Sequence, residues 1–341
     1  MQAGFSDWGH YGYVTVRKKD ALLIFNYNTM AQYEGRWNFF ERISRGLIIN
    51  HETGEIVARA FDKFFNWGES ARVSHAPILT ITEKMDGSLG ILYRWQGEYY
   101  IATRGNFDSD QAIWATTFLQ ANYDLHNLAD ELTLLFEIIY PDNRIVVNYG
   151  QREDLVLLAV RNRHTGDYLP LEQMRHIGEQ YGFSLPKVHT FSDIDLLIKN
   201  ANMLDITTEG YVVEFSDGQR FKFKSLRYLE LHKLIISLTF KNVLKAMQNG
   251  TIEAILATIP DEFLDETRGW IHAIQVIIAQ VKNDVRQVFD TAPKESRKEF
   301  ALWVAQYHPS LSRYLFPMLD GKDIEPIIYQ YYDWGNDEGA G

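Results

Sequence analysis

The first two thirds of the chain alternate between short apolar runs and polar connections. The runs are rich in β-branched and aromatic residues, and Gly, Asp and Asn separate them. Runs of this composition and length are typical of strands. The pattern predicts strands at residues 22–27, 47–50, 55–59, 78–82, 89–94, 99–103, 132–139, 155–161, 211–215 and 220–223. Apolar residues at helical spacing predict helices at residues 110–122, 171–181 and 192–200.

After Ser225 the apolar residues follow a helical spacing almost to the end of the chain. This spacing predicts helices at residues 229–248, 251–258, 263–289, 294–307 and 323–331. Pro260, Pro293 and Pro309 interrupt the pattern. Together the two parts predict an α+β protein with two domains. Residues 1–235 would form antiparallel sheets with flanking helices, and residues 236–341 would form a smaller all-α domain.

Composition narrows the possible functions. The chain has no cysteine, which excludes disulfides, thiolate catalysis and cysteine-ligated zinc. No apolar run approaches the roughly 20 residues that span a bilayer, and the first residues lack the basic and then apolar order of a secretory signal. We therefore expect a cytoplasmic protein without a membrane partner. A net charge of −11 argues against a protein that coats nucleic acid, but it leaves room for a local basic groove.

The strongest chemical signal is the segment EKMDGSLG at residues 83–90. It ends one predicted strand at Lys84, makes a tight Asp-Gly turn and starts the next strand, which would expose the Lys84 amine at the mouth of a sheet. A lysine amine becomes nucleophilic when it loses its proton, and nearby cations or desolvation favour that loss. Taken alone, the segment is as typical of an ordinary hairpin, because Asp-Gly is a common turn.

Three further segments contain residues that would be useful if a nucleotide bound on the sheet. Lys222 and Lys224 alternate along one predicted strand, so both amines face one side and could stabilise charge on an α-phosphate. Glu137 and Glu209 supply carboxylates, which suit Mg²⁺ and ribose hydroxyls. Taken alone, each of these residues is more often an ordinary surface residue exposed to solvent. All of them in this order, after Lys84, are much harder to obtain by chance.

The order and spacing of these segments resemble the covalent nucleotidyltransferase superfamily of DNA ligases, RNA ligases and mRNA capping enzymes. The segment FEIIYPDNRIVVNY at residues 136–149 narrows the resemblance to the phage-type RNA ligase 1 family. IFNY at 24–27, SRGLI at 44–48 and FDKFFN at 61–66 also match that family, as does TRG at 103–105, where the family more often has a lysine. The resemblance covers about residues 20–230.

The resemblance implies an ATP-grasp-like ligase domain with ATP and Mg²⁺ or Mn²⁺ as cofactors. It gives catalytic roles to Lys84, Asp86, Glu209, Lys222 and Lys224. It gives nucleotide-binding roles to Tyr27, Arg45, Lys63, Glu83, Gly87, Arg104 and Glu137. The metal ligands would be Glu209 and Glu137, and the cations among the nucleotide-binding residues would surround the β- and γ-phosphates of ATP. Arg104 departs from the family pattern, but an arginine holds phosphate at least as well as a lysine.

The same resemblance implies an RNA ligase that works in three steps. Lys84 would take up AMP, the AMP would pass to an RNA 5′-phosphate, and an RNA 3′-OH would displace it. The helical domain would recognise the RNA, with a cleaved tRNA as one possible substrate. We expect the enzyme to be a monomer.

Three alternatives stay open at the level of the sequence. DNA ligases and capping guanylyltransferases share the lysine core but normally carry an OB domain after the Lys-x-Lys strand, where this chain is predicted to be helical. A catalytically inactive relative that binds nucleotide or RNA would keep the fold and form no AMP adduct. A purely structural interaction protein would be indifferent to the substitution Lys84→Ala.

Overall fold

The computed structural model describes residues 12–235, 237–259 and 263–334. The chain divides into two compact units, residues 1–236 and 237–341. No helix in the described ranges is long and apolar enough to cross a membrane. The first eleven residues, where the sequence shows no pattern of a secretory signal, lie outside the described ranges.

The first unit contains three four-stranded sheets within its described residues. The strands, in chain order, are β1 (Val14–Lys19), β2 (Leu22–Tyr27), β3 (Arg45–Asn50), β4 (Ile56–Ala58), β5 (Phe65–Asn66), β6 (Ile78–Lys84), β7 (Ser88–Trp95), β8 (Glu98–Ala102), β9 (Leu132–Ile139), β10 (Asp154–Asn162), β11 (Gly210–Phe215) and β12 (Arg220–Lys224). Their orders are β1-β2-β3-β4, β10-β9-β7-β8 and β5-β12-β11-β6. Neighbouring strands are antiparallel, except that the short β5 is parallel to β12.

Six helices flank these sheets in the described part of the first unit. They are α1 (Thr29–Tyr33), α2 (Phe39–Ile43), α3 (Asp110–Asn122), α4 (Leu171–Tyr181), α5 (Ile194–Met203) and α6 (Leu226–Ile235). Local chemistry sets several of the helix starts. Ser109 accepts a hydrogen bond from the Ala112 amide at the start of α3, and Asp193 accepts one from the Leu196 amide at the start of α5.

The β10-β9-β7-β8 sheet is buried on both faces. Leu134, Phe136 and Ile138 of β9 belong to a core beneath α3 and α4. Leu135 points the opposite way, into a core that includes Ile48 of β3. A strand with both faces covered needs apolar residues at successive positions, which explains the nearly continuous apolar run of β9.

The β5-β12-β11-β6 sheet has one apolar face and one polar face. Phe221 and Phe223 point into a core with Leu197 of α5. Lys222 and Lys224 alternate with these phenylalanines along β12 and line a cavity on the other face. The alternation therefore does two things: it closes the core, and it places two lysines in the cavity.

The second unit is helical throughout its described residues. Its helices are α7 (Phe240–Gln248), α8 (Ile252–Thr258), α9 (Leu264–Asp290), α10 (Arg297–Tyr307), α11 (Ser312–Leu319) and α12 (Glu325–Tyr331). The long α9 packs against α7, α11 and α12. It does so through residues at helical spacing, of which Ile271, Ile274 and Ile278 are buried.

The sequence prediction differs from this fold in a few places. The single helix predicted at residues 229–248 is two helices, α6 and α7. Ser237 has a positive φ of 50°, and Thr239 caps α7 by accepting from the Asn242 amide, so the backbone turns between them. The strands β1 and β5 and the helices α1, α2 and α11 were not predicted at all.

Candidate active site

Lys84 lies where three strand ends meet. It is the last residue of β6, and Gly210, the first residue of β11, pairs with it across the sheet. Gly210 also pairs with Lys224, the last residue of β12. Neighbouring strands are about 4.8 Å apart, so this register places the two lysines at the same end of the sheet, on either side of Gly210.

Glu209, which directly precedes β11, connects these two lysines. Its Oε2 accepts from Lys84 Nζ at 2.6 Å, and its Oε1 lies 3.2 Å from Lys224 Nζ. The Glu209 side chain is only 2% exposed, so this carboxylate is buried with both oxygens paired. A buried carboxylate held in this way keeps the two amines at fixed positions.

Two glycines permit the close approach of the strands. A side chain at Gly87 would place its Cβ 2.5 Å from the Ile138 carbonyl oxygen. A side chain at Gly210 would place its Cβ 2.0 Å from the Phe223 carbonyl oxygen, and Gly210 has a φ of +148°. Both positions therefore require glycine for steric reasons.

Asp86 belongs to the turn that follows Lys84. Its carboxylate is buried beneath the turn and does not line the cavity. Oδ2 accepts from the backbone amides of Val146 and Val147, at 2.9 and 2.7 Å, and Oδ1 accepts from the Tyr228 hydroxyl at 2.8 Å. These contacts fit a residue that shapes the turn beside Lys84, and the catalytic role of Asp86 stays a prediction.

Glu137 lies on β9 beside the Lys84 turn and lines the cavity. Burial raises the pKa of Glu137 to about 8, although the positive charge of Lys84 acts in the opposite direction. The neighbouring carboxylates of Glu209 and Asp86 raise this pKa further, and a hydrogen bond from the Gly87 amide lowers it. At neutral pH the Glu137 carboxyl is therefore mainly protonated and can donate a hydrogen bond as well as accept one.

The four residues assigned to the β- and γ-phosphates of ATP do not all line the cavity. Arg45 and Arg104 line the cavity together with Glu83, whereas Tyr27 and Lys63 do not. Tyr27 is buried, and its hydroxyl accepts a hydrogen bond from Arg104 Nη1 at 3.1 Å.

Lys63 is only 2% exposed and lies among aromatic rings. Its Nζ is 5.6, 4.9 and 5.4 Å from the ring centroids of Tyr27, Trp37 and Phe65. This amine contributes positive charge to the surroundings of the cavity rather than lining it.

The cavity has a volume of about 630 Å³ and a basic wall. Seven cationic side chains line it against three carboxylates. The cations are Lys84, Lys222, Lys224, Arg17, Arg45, Arg104 and Arg220. In a chain of net charge −11, such a local excess of positive charge favours an anionic ligand.

Sequence reasoning missed part of this wall. Thr15 pairs with Asn26, and Asn26 pairs with Arg45, so these three residues form one polar row across β1, β2 and β3. Arg17 follows on the same face of β1. Alternation of apolar and polar residues in VTVRKK was a signal for β1, but nothing in the sequence connected that strand to the cavity.

The donor set of the cavity fits a nucleotide triphosphate. Arg45 Nη1 is buried and has no hydrogen-bond partner in the described part of the chain. A buried donor of this kind is normally satisfied, and a phosphate oxygen would satisfy it. Apolar side chains such as Leu89 and Val212 also line the cavity and suit the flat faces of a base.

The carboxylates fit a metal ion that arrives with the nucleotide better than a resident one. The described ranges contain no group of three or more His, Asp or Glu side chains able to hold a metal. Mg²⁺ bound to a nucleotide needs only one or two protein carboxylates, because phosphate oxygens and water complete its shell. Glu209 does not itself line the cavity, so it would hold such an ion only by releasing a lysine, and Glu137 would first have to lose its proton.

Lys84 thus ends strand β6 and lines a cationic cavity. The sequence profile of a family described as RNA ligase, of the T4 type 1, matches residues 43–228. This match covers more than half of the chain, and the chain belongs to this RNA ligase family.

Several curated proteins are similar to the chain over different lengths. A putative bifunctional polynucleotide kinase/RNA ligase of Autographa californica nuclear polyhedrosis virus is 30% identical over 240 residues, which are 62% of this chain and 33% of the viral protein. A putative RNA ligase of Thermovibrio ammonificans is 26% identical over 310 residues, 82% of this chain and 79% of that protein. The RNA ligase of Rhodothermus phage RM378 is 22% identical over 396 residues, 91% of this chain and 87% of that protein. The chain thus spans only a third of the length of the viral relative.

Solved structures of ligases are also similar to parts of the chain. The Naegleria gruberi RNA ligase with PPi matches 46% of this chain and 52% of its own, with a TM-score of 0.35 and 19% identity. A putative ATP-dependent DNA ligase from Aquifex aeolicus matches 82% of this chain and 80% of its own, with a TM-score of 0.48 and 18% identity.

Proposed function

We propose that the protein is an ATP-dependent RNA ligase in which Lys84 carries AMP covalently. The observation that supports this most directly is the arrangement of Lys84, Glu209 and Lys224. Two lysines share one buried carboxylate at the edge of a sheet, at 2.6 and 3.2 Å, and open into a cationic cavity. Membership of the RNA ligase family supports the same assignment.

In the first step the Lys84 Nζ lone pair forms a bond to the α-phosphorus of ATP. The bond from that phosphorus to the bridging oxygen breaks, pyrophosphate leaves, and the amine gives up a proton. Lys84 Nζ must first lose a proton, because an ammonium nitrogen has no lone pair. The neutral amine can still donate one N–H to Glu209 Oε2 while its lone pair faces the phosphorus. Lys222 and Lys224 stabilise the charge that develops on the α-phosphate.

Four further residues contribute to this step. Arg45 and Arg104 hold the β- and γ-phosphates and orient pyrophosphate as the leaving group. Glu137 would bind a ribose hydroxyl, and Glu209 would hold a Mg²⁺ or Mn²⁺ ion that arrives with the nucleotide. When bound, that ion supplies Lewis-acid stabilisation of the phosphoryl charge.

The second and third steps use the same site. An RNA 5′-phosphate oxygen displaces Lys84 from AMP and forms a 5′–5′ pyrophosphate linkage. An RNA 3′-OH then attacks the 5′-phosphate, expels AMP and seals the strand. We propose that the enzyme is a monomer and that the helical second unit recognises the RNA, with cleaved tRNA as a candidate substrate.

The test is labelling with ATP that carries a radioactive α-phosphate, in the presence of Mg²⁺. Wild type should retain the label through denaturation, and Lys84→Ala should not. Lys199→Ala is the matched control, because Lys199 is an exposed lysine on α5 far from the chemistry proposed here, and it should label like wild type. The labelled enzyme should then seal single-stranded RNA that has 5′-phosphate and 3′-OH ends.

The same assay separates the alternatives. Labelling by GTP in place of ATP would indicate a capping enzyme, and sealing of nicked DNA without sealing of RNA would indicate a DNA ligase. A wild-type protein that takes no label would leave only a binding or structural role. The described residues of the second unit are helical, which disfavours the OB domain that the first two alternatives normally require.

A further inference from the structure

A second cavity lies next to the first in the same unit, with a volume of about 400 Å³. Phe64 and Arg220 belong to the walls of both cavities. In the first cavity, Lys222 Nζ and Arg45 Cζ lie 5.5 and 5.7 Å from the centroid of the Phe64 ring. A polymer whose end reaches Lys84 would therefore enter the second cavity next to Phe64 and Arg220, the residues that both cavities share.

The carboxylates of the second cavity are occupied within the protein. Asp62 pairs with Arg161 at 2.9 Å. Asp217 accepts from the Ser74 hydroxyl at 2.8 Å and from the side chain of Gln219 at 2.7 Å. Asp62 is therefore neutralised by Arg161, whereas Asp217 accepts from neutral donors and keeps its negative charge. The wall is still positive on balance, because four cations line it, Arg42, Lys63, Arg72 and Arg220.

Two arginines of the same wall are not neutralised. Within the described ranges, the guanidinium groups of Arg42 and Arg72 make no hydrogen bond or ion pair. The Arg72 Cζ lies 4.0 Å from the centroid of the Phe65 ring, so its charge stacks on an aromatic ring and its N–H groups stay available. The Lys63 amide donates to the Arg42 carbonyl at 2.8 Å, which ties α2 to the cavity wall.

An exposed aromatic side chain on α2 lies near Arg42, although it does not line the second cavity. Phe39 is 69% exposed, and it precedes Arg42 by three positions on α2, so the two side chains share one face of the helix. An aromatic ring beside free cations is the combination with which proteins hold single-stranded nucleic acid, by stacking on bases and pairing with phosphates.

We propose that the second cavity holds the sugar–phosphate backbone of the RNA strand whose 5′-phosphate reacts, with Arg42 and Arg72 on its phosphates and Phe39 against a base. This inference rests on the proposed function, because it takes RNA as the substrate. The first cavity already contains the cations that the phosphates of ATP need, so the second pair of guanidinium groups serves a different phosphate source.

The experiment measures binding of a 5′-phosphorylated single-stranded RNA oligonucleotide over a series of salt concentrations. Two neutralising substitutions, Arg42→Ala and Arg72→Ala, are combined in one variant. The variant should bind RNA at least tenfold more weakly. The slope of log affinity against log salt should fall by about 1.4, since each lost phosphate contact on a single strand contributes about 0.7.

Two further variants separate charge from folding and from stacking. The double variant Arg42→Lys and Arg72→Lys keeps both charges and should keep the salt slope. Phe39→Ala should weaken RNA binding without changing the salt slope, because stacking involves no counterion release. The matched control is Arg175→Ala combined with Arg227→Ala, two exposed arginines that pair with carboxylates on their own helices, and it should bind RNA like wild type.

AMP labelling of the same proteins distinguishes RNA from ATP as the source of phosphate. The expected result is weaker RNA binding with a labelling rate within twofold of wild type. RNA affinity within twofold of wild type in the alanine double variant would overturn the inference. So would a raised KM for ATP with unchanged RNA binding. If the wild-type protein takes no AMP yet binds RNA through these arginines, the proposed function fails and the RNA site stands.

Discussion

Helix α6 contacts the turn after Lys84 through the hydroxyl group of Tyr228. Tyr228 is 2% exposed, and its hydroxyl donates to Asp86 Oδ1 at 2.8 Å. The Tyr228 ring packs with Val146 and Val147, whose amides donate to the other oxygen of Asp86. The substitution Tyr228→Phe keeps the ring and its packing and removes only this donor. We expect it to lower both stability and the rate of AMP transfer.

The size of the effect follows from the charge of the acceptor. A hydrogen bond to a charged group contributes about 1.5–3 kcal/mol, and a buried acceptor left without its donor loses that amount. Because Asp86 keeps its two backbone donors, we expect the free energy of unfolding to fall by about 2 kcal/mol. For a unit of this size that corresponds to a fall of about 4–8 °C in the unfolding midpoint.

The kinetic effect should fall on the chemical step. Asp86 is two residues from Lys84, so a looser turn misplaces the nucleophile, and a barrier increase of about 1.4 kcal/mol lowers the rate tenfold. Arg45 and Arg104 are untouched, so the KM for ATP should change less than the maximal rate of labelling.

The assay measures AMP labelling against ATP concentration, together with thermal unfolding, for two variants. Tyr211→Phe is the matched control. Tyr211 is also buried, and its hydroxyl donates to Asn200 Oδ1 at 2.6 Å, a neutral partner on α5. The reasoning would be refuted if both variants lowered the labelling rate equally, or if Tyr228→Phe labelled like wild type.

Three further substitutions test individual contacts. Gly87→Ala should unfold at a lower temperature and lose AMP labelling, because the new Cβ would lie 2.5 Å from the Ile138 carbonyl oxygen; Gly269→Ala in α9, with open space around it, should not destabilise the protein. Glu137→Gln should flatten the pH dependence of the free energy of unfolding. The Glu137 carboxyl keeps its proton up to about pH 8 in the native state, whereas it loses the proton near pH 4.3 in the unfolded state. Between these two pH values the wild type therefore loses up to about 1.4 kcal/mol of stability per pH unit, which denaturant unfolding measures. Equal slopes for both proteins would contradict this pKa. Lys222→Ala should reduce the maximal rate of AMP labelling by about a hundredfold, more than Lys222→Arg does, and equal rates would mean that charge at this position is not needed.

Much of the fold was predictable because the spacing of apolar residues marks many strands and helices over their whole length. The observed bounds of β2, β9, α3 and α4 are the predicted ones, and each has an apolar pattern that ends at a polar or turn residue. The prediction of one helix at residues 229–248 was wrong because the apolar spacing continues across the break between α6 and α7. The start of α7 depends on the capping side chain of Thr239, which this spacing does not reveal. Helix α11 was missed because Pro317 lies inside it.

The site was predictable where it depends on local sequence and unpredictable where it depends on distant partners. The pairing of Lys84 with Glu209 joins residues 125 positions apart, and only the order of family motifs connected them. Asp86 belongs to a local motif, whereas the partners of its carboxylate come from residues 146, 147 and 228. Arg17 lies in no motif, and only the sheet register brings it to the cavity.

The central claim is that the Lys84 amine forms the covalent bond with AMP. The most direct test incubates the wild-type protein with ATP and Mg²⁺, digests it and locates the modification by mass spectrometry. The account predicts one AMP on the peptide that contains Lys84, and none on the peptides that contain Lys222 and Lys224. AMP on another residue, or no adduct on a folded protein under these conditions, would contradict it.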